Sequence, residues 1–337
     1  MSEPVYKCSI SMYMYAYLHQ HKSLGYICKD IENTFMTIDR YLCKNNFQGT
    51  FINESVYEKW SKSIAHQKPT TIYQKKSIFI RLLQFMSVIG VACYVPILPR
   101  VKGRESIPYT FSEEEMSRIF NACDTLRMKE RHTECIMISI PAIIRLLYST
   151  AIRISEALNI TMDNINLQSH VIKLVKTKNG CERLAPINKS MEMVLLQYIS
   201  YRNRLPYEHL KDPDSYLFVS SQGKKISRHT ALNYMHKVLD AAGIQRGNDE
   251  DGPHLHSIRH TACIHSMLQL ARNGMDLYCY LPVLSTFMGH RKVYDTERYL
   301  RMTTEMYPEL IKQDTSVTNS ITSTVKRAIA IYEEENK

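Results

Sequence analysis

Three short runs carry residue types that could act together on a phosphate. Thr150-Ala-Ile-Arg153-Ile-Ser-Glu156-Ala-Leu158 and His256-Ser-Ile-Arg259-His260-Thr261 each set an arginine in an apolar helical run. There a guanidinium needs an anionic partner or an exit to solvent. Leu284-Ser-Thr-Phe-Met-Gly-His290 is followed by Tyr294 and Tyr299. Attack on a phosphodiester builds charge on the non-bridging oxygens. Two positioned guanidiniums hold such oxygens through charge-assisted hydrogen bonds. Histidines handle protons near neutral pH, and a tyrosine relieved of its phenol proton is a nucleophile.

Each residue also has a plainer use. Arg153 has Glu156 and Glu182 as possible ion-pair partners, and spacing alone leaves Tyr294 and Tyr299 undecided. Lys178, in Lys178-Asn179-Gly180, is placed to protonate a leaving 5′-oxygen if its surroundings lower its pKa. Lys173, Lys176 and Lys189 are nearby competitors. His254-Leu-His256 invites a metal reading, but no Cys or carboxylate cluster has the spacing to complete a site, so no metal is expected.

The elements that must position these residues are readable in outline. A chain of 337 residues is long enough for two cores. With 44% hydrophobic and 23% charged residues it is an ordinary globular composition, neither disordered nor fibrous. The net charge of +10 favours a polyanionic partner, and residues 1–100 hold 12 Lys+Arg against 6 Asp+Glu. Nine scattered cysteines without a Cys-x-x-Cys pair read as reduced thiols of a cytosolic protein. No secretory signal is evident, and the apolar stretches 79–99 and 136–154 are broken by Arg, Gln and Pro, which suits buried helices rather than membrane spans.

Residues 1–95 read as a helical domain with helices near 26–44, 54–65 and 70–90. On the last, Lys75, Lys76 and Arg81 lie away from the apolar face, either as phosphate contacts or as a solvated cationic face. Residues 96–111 form a basic connector with prolines and a glycine, carrying Arg100, Lys102 and Arg104. Ser112 and Glu115 predict a capping box that opens the second domain, 112–337. Helical periodicity there covers 132–149, 153–160, 190–203, 228–242 and 257–273. Val171–Thr177 and Cys181–Ile187 read as a hairpin about Asn179-Gly180. The fold expected is mostly α with a small β-sheet.

Together the runs resemble the tyrosine recombinases of the phage integrase and Xer-like family. Thr150–Leu158 resembles the first-arginine box, usually Thr-Gly-Leu-Arg-Ile-Ser-Glu-Leu, with Ala151 in place of the glycine. Lys178-Asn-Gly-Cys-Glu-Arg-Leu-Ala-Pro186 resembles the hairpin box, Pro253–Ala262 the His-x-x-Arg box, and Leu284–His290 the Leu-Gly-His box, with Met288 for leucine. The resemblance selects Tyr299 over Tyr294 as nucleophile and Lys178 over Lys176 as general acid. It implies that Arg153 and Arg259 hold the phosphate, His256 exchanges protons with the phenol, His290 orients the phosphate and Glu156 supports the arginines. It also implies a helical core-DNA-binding domain before an α+β catalytic domain, and no cofactor; the tail run from Val325 to Glu335 itself reads as a terminal helix. The implied partners are double-stranded DNA at specific sites and further copies of the chain or related recombinases, as a dimer on each site and a tetramer in synapsis. The implied location is on the nucleoid. Two rivals remain at this stage: a DNA-binding protein of this fold without turnover, and a type IB topoisomerase-like enzyme.

Overall fold

The computed structural model describes residues 4–98, 108–125, 134–175, 177, 182–246 and 252–306. The chain divides into two compact units, Met1–Glu105 and Ser106–Lys337. The first contains four helices among the described residues: α1 (Ser11–Ser23), α2 (Lys29–Lys44), α3 (Glu54–Ser63) and α4 (Pro69–Val88). Asn53 caps α3 through its side-chain oxygen, and Pro69 opens α4 where no amide is needed. Their shared core holds Phe35, Ile38, Leu42, Trp60, Phe79, Leu82, Leu83 and Met86. Sequence periodicity did not reveal α1, because its tyrosines, methionines and histidines form no clear apolar stripe.

The second unit is built around α6 (Glu134–Thr150). α5 (Glu113–Thr125) precedes it, and α7 (Ile154–Ala157) follows directly. The expected capping box is present: Ser112 Oγ accepts from the Glu115 amide at 3.0 Å, and Glu115 accepts from the Ser112 amide at 2.9 Å. The expected helix over 153–160 shrinks to the single turn of α7. Ile160 instead accepts from the Leu217 amide, so the chain leaves the helix to meet another segment. The sheet follows, with β1 (Ile165–Asn166), β2 (Val171–Leu174) and β3 (Arg183–Pro186) antiparallel in that order. Leu174 faces Arg183 at the far end of the β2–β3 ladder, while Ile172, Leu174 and Ala185 point into the core.

Next come α8 (Lys189–Arg202), α9 (Arg228–Ala241), α10 (Leu255–Arg272), α11 (Leu277–Met288) and α12 (Tyr294–Met306). Ile143, Ile144, Leu146 and Leu147 of α6 pack with Leu195, Met235, Leu239 and Ile258 in the main core. A smaller cluster joins Ala262, Cys263 and Met267 of α10 to Leu284 and Met288 of α11 and to Tyr299 and Leu300 of α12. The last two helices were not anticipated. Pro282 inside α11 and the charges of α12 hide their periodicity. No helix among the described residues is long and apolar enough to cross a membrane.

Candidate active site

The C-terminus of α11 is the organising feature. Helices end with carbonyls that lack intrahelical partners and with the negative end of the dipole. Here Gly289 takes the left-handed conformation (φ 66°), its amide bonds Thr286 O at 3.0 Å, and the His290 amide bonds Ser285 O at 3.0 Å, a Schellman closure. The next three carbonyls go to arginines. Arg183 Nε donates to Phe287 O (3.3 Å), Arg259 Nη2 to Met288 O (2.7 Å), and Arg153 Nη2 makes a longer contact to Gly289 O (3.4 Å). A Cβ at position 289 would lie 2.6 Å from the Arg183 guanidinium. Glycine is therefore needed both for its φ and for the space.

Glu156 is the carboxylate shared by two of these arginines. It is buried and accepts from Arg153 Nη1 (2.8 Å), from the Arg153 amide (2.9 Å), and from Arg183 through both Nη atoms (3.1 and 2.8 Å). Burial pushes its pKa upward, but the bonds from Arg183 and Arg153 outweigh that and hold it at about 2. Of the two partners possible for Arg153, the structure selects Glu156; Glu182 pairs with Lys173 instead.

Arg259 is 2% exposed and also donates to Ala151 O. That carbonyl is aimed by a left-handed residue, Ala151 (φ 49°), at the position where the resembling box has glycine. Burial and the neighbouring Arg153 lower the Arg259 pKa to about 10, which leaves it charged at neutral pH. Arg259 Nη2 meets His290 Nε2 at 3.1 Å, and His290 Nδ1 meets Thr296 Oγ1 at 2.8 Å. Arginine has no acceptor, so Nε2 must carry the lone pair and Nδ1 the proton. Burial first, then Arg259 and Arg153, depress the His290 pKa to about 4.

Tyr299 lies among these groups. Residues 294 and 299 are five apart on α12, about 140° around the helix at 3.6 residues per turn. Tyr294 is accordingly exposed, while Thr296, Tyr299 and Leu300 face inward. The Tyr299 phenol is 2.7 Å from His260 Nδ1, and its ring lies parallel to that of His290 at 6.0 Å between centroids. Burial first, then the Cys263 thiol, raise its pKa to about 12 despite Arg259, Arg298 and Arg153 nearby.

The histidine on the phenol is therefore His260, where the sequence reading had placed His256. The two are one turn apart on the same face of α10, and the later one reaches α12. His256 packs edge-on against His260 with centroids 4.6 Å apart. Burial, Arg259, His254 and Arg153 lower its pKa to about 4. His254 is used at the start of α10, where Ser257 Oγ accepts from its amide and lies 2.9 Å from its Nδ1. Among the described residues no three of His, Cys, Asp and Glu gather as metal ligands.

Arg153, Glu156, Arg259, His290 and Tyr299 thus share one site, with His256 at its edge against His260. Arg183, His260 and Thr296 join them and were missed. His260 and Arg183 stood within the quoted boxes; nothing in the sequence marked Thr296. Lys178, Arg100, Lys102, Arg104 and the expected tail helix lie outside the described residues. In the first unit Arg81 is exposed, with its Nε on Ser77 O, and Lys75 and Lys76 are half-buried on α4.

Residues 110–306 match the phage integrase family. XerD, a tyrosine recombinase of Vibrio cholerae, is 26% identical over 285 residues, covering 82% of this chain and 86% of its own. XerC of Listeria welshimeri is 24% identical, covering 86% and 91% respectively. Two solved structures share the fold. XerH bound to its palindromic difH substrate has a TM-score of 0.61 at 16% identity, over 82% of this chain and 76% of its own. The Tn1549 transposon integrase in complex with transposon right end DNA has a TM-score of 0.61 at 16% identity, over 88% and 99%. The chain belongs to the phage integrase family. It is an enzyme of the tyrosine-recombinase class, whose members break and rejoin DNA.

Proposed function

We propose that the protein recombines duplex DNA at specific sites, with Tyr299 as nucleophile, in integration, excision or transposition of a mobile element or in replicon resolution. Tyr299 Oη attacks the scissile phosphate, leaving a 3′-phosphotyrosyl link and a free 5′-hydroxyl. Arg153 and Arg259 stabilise the transferring phosphoryl group, His290 orients it, and Lys178 protonates the 5′-oxygen, a role that rests on the resemblance alone. The bond energy is held in the phosphotyrosine, so the strands reseal without an external energy source. Residues 1–95 and the connector 96–111 supply phosphate contacts through Lys75, Lys76, Arg81, Arg100, Lys102 and Arg104, and 112–337 supply the chemistry. A dimer on each site and a tetramer in synapsis is the working assembly.

The observation that carries this reading is the charge balance around the phenol. Arg153 and Arg183 share one carboxylate, Glu156, Arg259 beside them is held by carbonyls and His290, and burial and the arginines keep His290 neutral. Such a surplus of buried positive charge is stabilised by an arriving anion. The test is formation of SDS-resistant protein–DNA adducts on nicked suicide duplexes, in EDTA. Wild type and Tyr294→Phe should form them, whereas Tyr299→Phe should bind the DNA and form none. Adducts with Tyr299→Phe would refute the assignment.

A further inference from the structure

We propose that His260 is a catalytic residue that takes the phenol proton of Tyr299 during strand cleavage and returns it during rejoining. The inference rests on Tyr299 being the nucleophile. Its basis is geometric: His260 Nδ1 lies 2.7 Å from Tyr299 Oη, within reach for direct proton transfer. The other two histidines at the site are placed for different work. His290 has Nε2 engaged by Arg259 and Nδ1 by Thr296, so neither of its ring nitrogens is left for the phenol. His256 sits edge-on to His260 at 4.6 Å and supports that ring.

The electrostatics make a base necessary and keep this one available. Burial raises the phenol to about 12, so it does not ionise unaided near neutral pH. Burial first, then His256, Arg259, His254 and Arg298, lower His260 to about 3, which keeps its lone pair free. For the phenol to donate to Nδ1, His260 must carry its own proton on Nε2. The scissile phosphate brings negative charge to Arg259, one of the groups that depress His260. Its arrival raises the basicity of the imidazole when the proton has to move.

The step balances. The Oη–P bond forms as the P–O5′ bond breaks, the Oη proton passes to Nδ1, and the leaving 5′-oxygen takes a separate proton from the general acid. In the reverse direction the 5′-hydroxyl attacks as it returns its proton to the deprotonated general acid, the Oη–P bond breaks, and the imidazolium returns its proton to Oη.

The experiment compares adduct formation in single turnovers by wild type, His260→Gln, His260→Ala and Tyr299→Phe. The nicked duplexes are made from DNA flanking the gene and chosen because wild type binds them. One set is ordinary, and the other carries sulfur at the bridging 5′ position, a leaving group that needs no proton. His260→Gln should slow adduct formation by about 10²-fold or more on both sets, as expected for loss of a proton acceptor, with DNA affinity unchanged. Added imidazole should partly restore His260→Ala, which separates lost chemistry from lost folding. Wild-type rates in His260→Gln would overturn the inference while leaving Tyr299 as nucleophile. Full recovery of His260→Gln on the sulfur substrate would place His260 at the leaving group and equally overturn it. No adduct from wild type on a duplex that it binds would overturn the Tyr299 reading and this inference with it.

Discussion

Arg202 on α8 and Arg259 on α10 are both 2% exposed, and neither has a carboxylate among its hydrogen-bond partners in the described residues. They differ in how many of their donors are used. Arg202 spends all five N–H groups on the protein. Nε bonds Tyr216 O and Leu217 O, Nη1 bonds Asn203 Oδ1 and Leu210 O, and Nη2 bonds Ser215 Oγ and Tyr216 O. Arg259 is fixed by Ala151 O, Met288 O and His290 Nε2, and its Nε and second Nη1 hydrogens have no acceptor among the described residues. One arginine ties the chain together where an acid is not needed. The other is anchored by three acceptors and leaves two of its N–H groups without one among the described residues, as the proposed phosphate contact requires. Burial alone does not distinguish a structural arginine from a functional one; the account of its five donors does.

The largest expected effect falls on the structural member. Arg202→Met should lower stability by roughly 3–5 kcal/mol, since each buried acceptor left unpaired costs about 1–3 kcal/mol. The fraction that remains folded should still cleave DNA at the wild-type rate. Urea denaturation and adduct kinetics on the same preparation measure both. Arg259→Lys keeps a charge but loses the fork. It should cut cleavage by roughly 10²–10³ with a smaller stability change and little loss of DNA binding. A stability profile matching that of Arg202→Met, with unchanged cleavage, would erase the distinction drawn above.

Glu156 sharpens the comparison, because it holds Arg153 and Arg183 as no acid holds Arg202 or Arg259. Its folded pKa is depressed, so its ionisation contributes stability that is complete above the ordinary carboxylate range and is lost as pH falls towards 2. Wild type should exceed Glu156→Gln by about 2 kcal/mol near pH 6, and the gap should narrow steadily below pH 4.5. A gap independent of pH would mean that packing, not charge, is what Glu156 supplies. The smallest effect is expected at Ala151. Replacing it by glycine relieves a left-handed residue, worth about 1–2 kcal/mol, but removes a buried methyl worth about 0.8 kcal/mol. Ala151→Gly should therefore change stability by under about 1 kcal/mol and leave cleavage intact.

Three of the four sequence boxes lead to residues that the structure brings together, because each keeps its chemical residue at a fixed step from a helix end or turn. Arg153 stands at the N-cap of α7, Arg259 one turn into α10, and His290 directly after the glycine that ends α11. What stayed hidden is what depends on packing between helices. The choice of His260 over His256 for the phenol is made by which turn of α10 meets α12. The docking of three arginines on consecutive carbonyls of α11 is a tertiary arrangement with no linear signature. The same applies to Arg202, which reads in sequence as one more surface charge in Tyr201-Arg202-Asn203-Arg204.

The most direct test of the account is to identify the tyrosine that becomes joined to DNA. Wild-type adduct trapped on a suicide duplex would be digested with nuclease and protease, and the nucleotide-bearing peptide sequenced by mass spectrometry. Of the 22 tyrosines, Tyr299 should carry the phosphate, in the peptide that contains Glu297 and Leu300. Phosphate on the exposed Tyr294, or on any tyrosine outside α12, would contradict the assignment of the nucleophile and the site built around it.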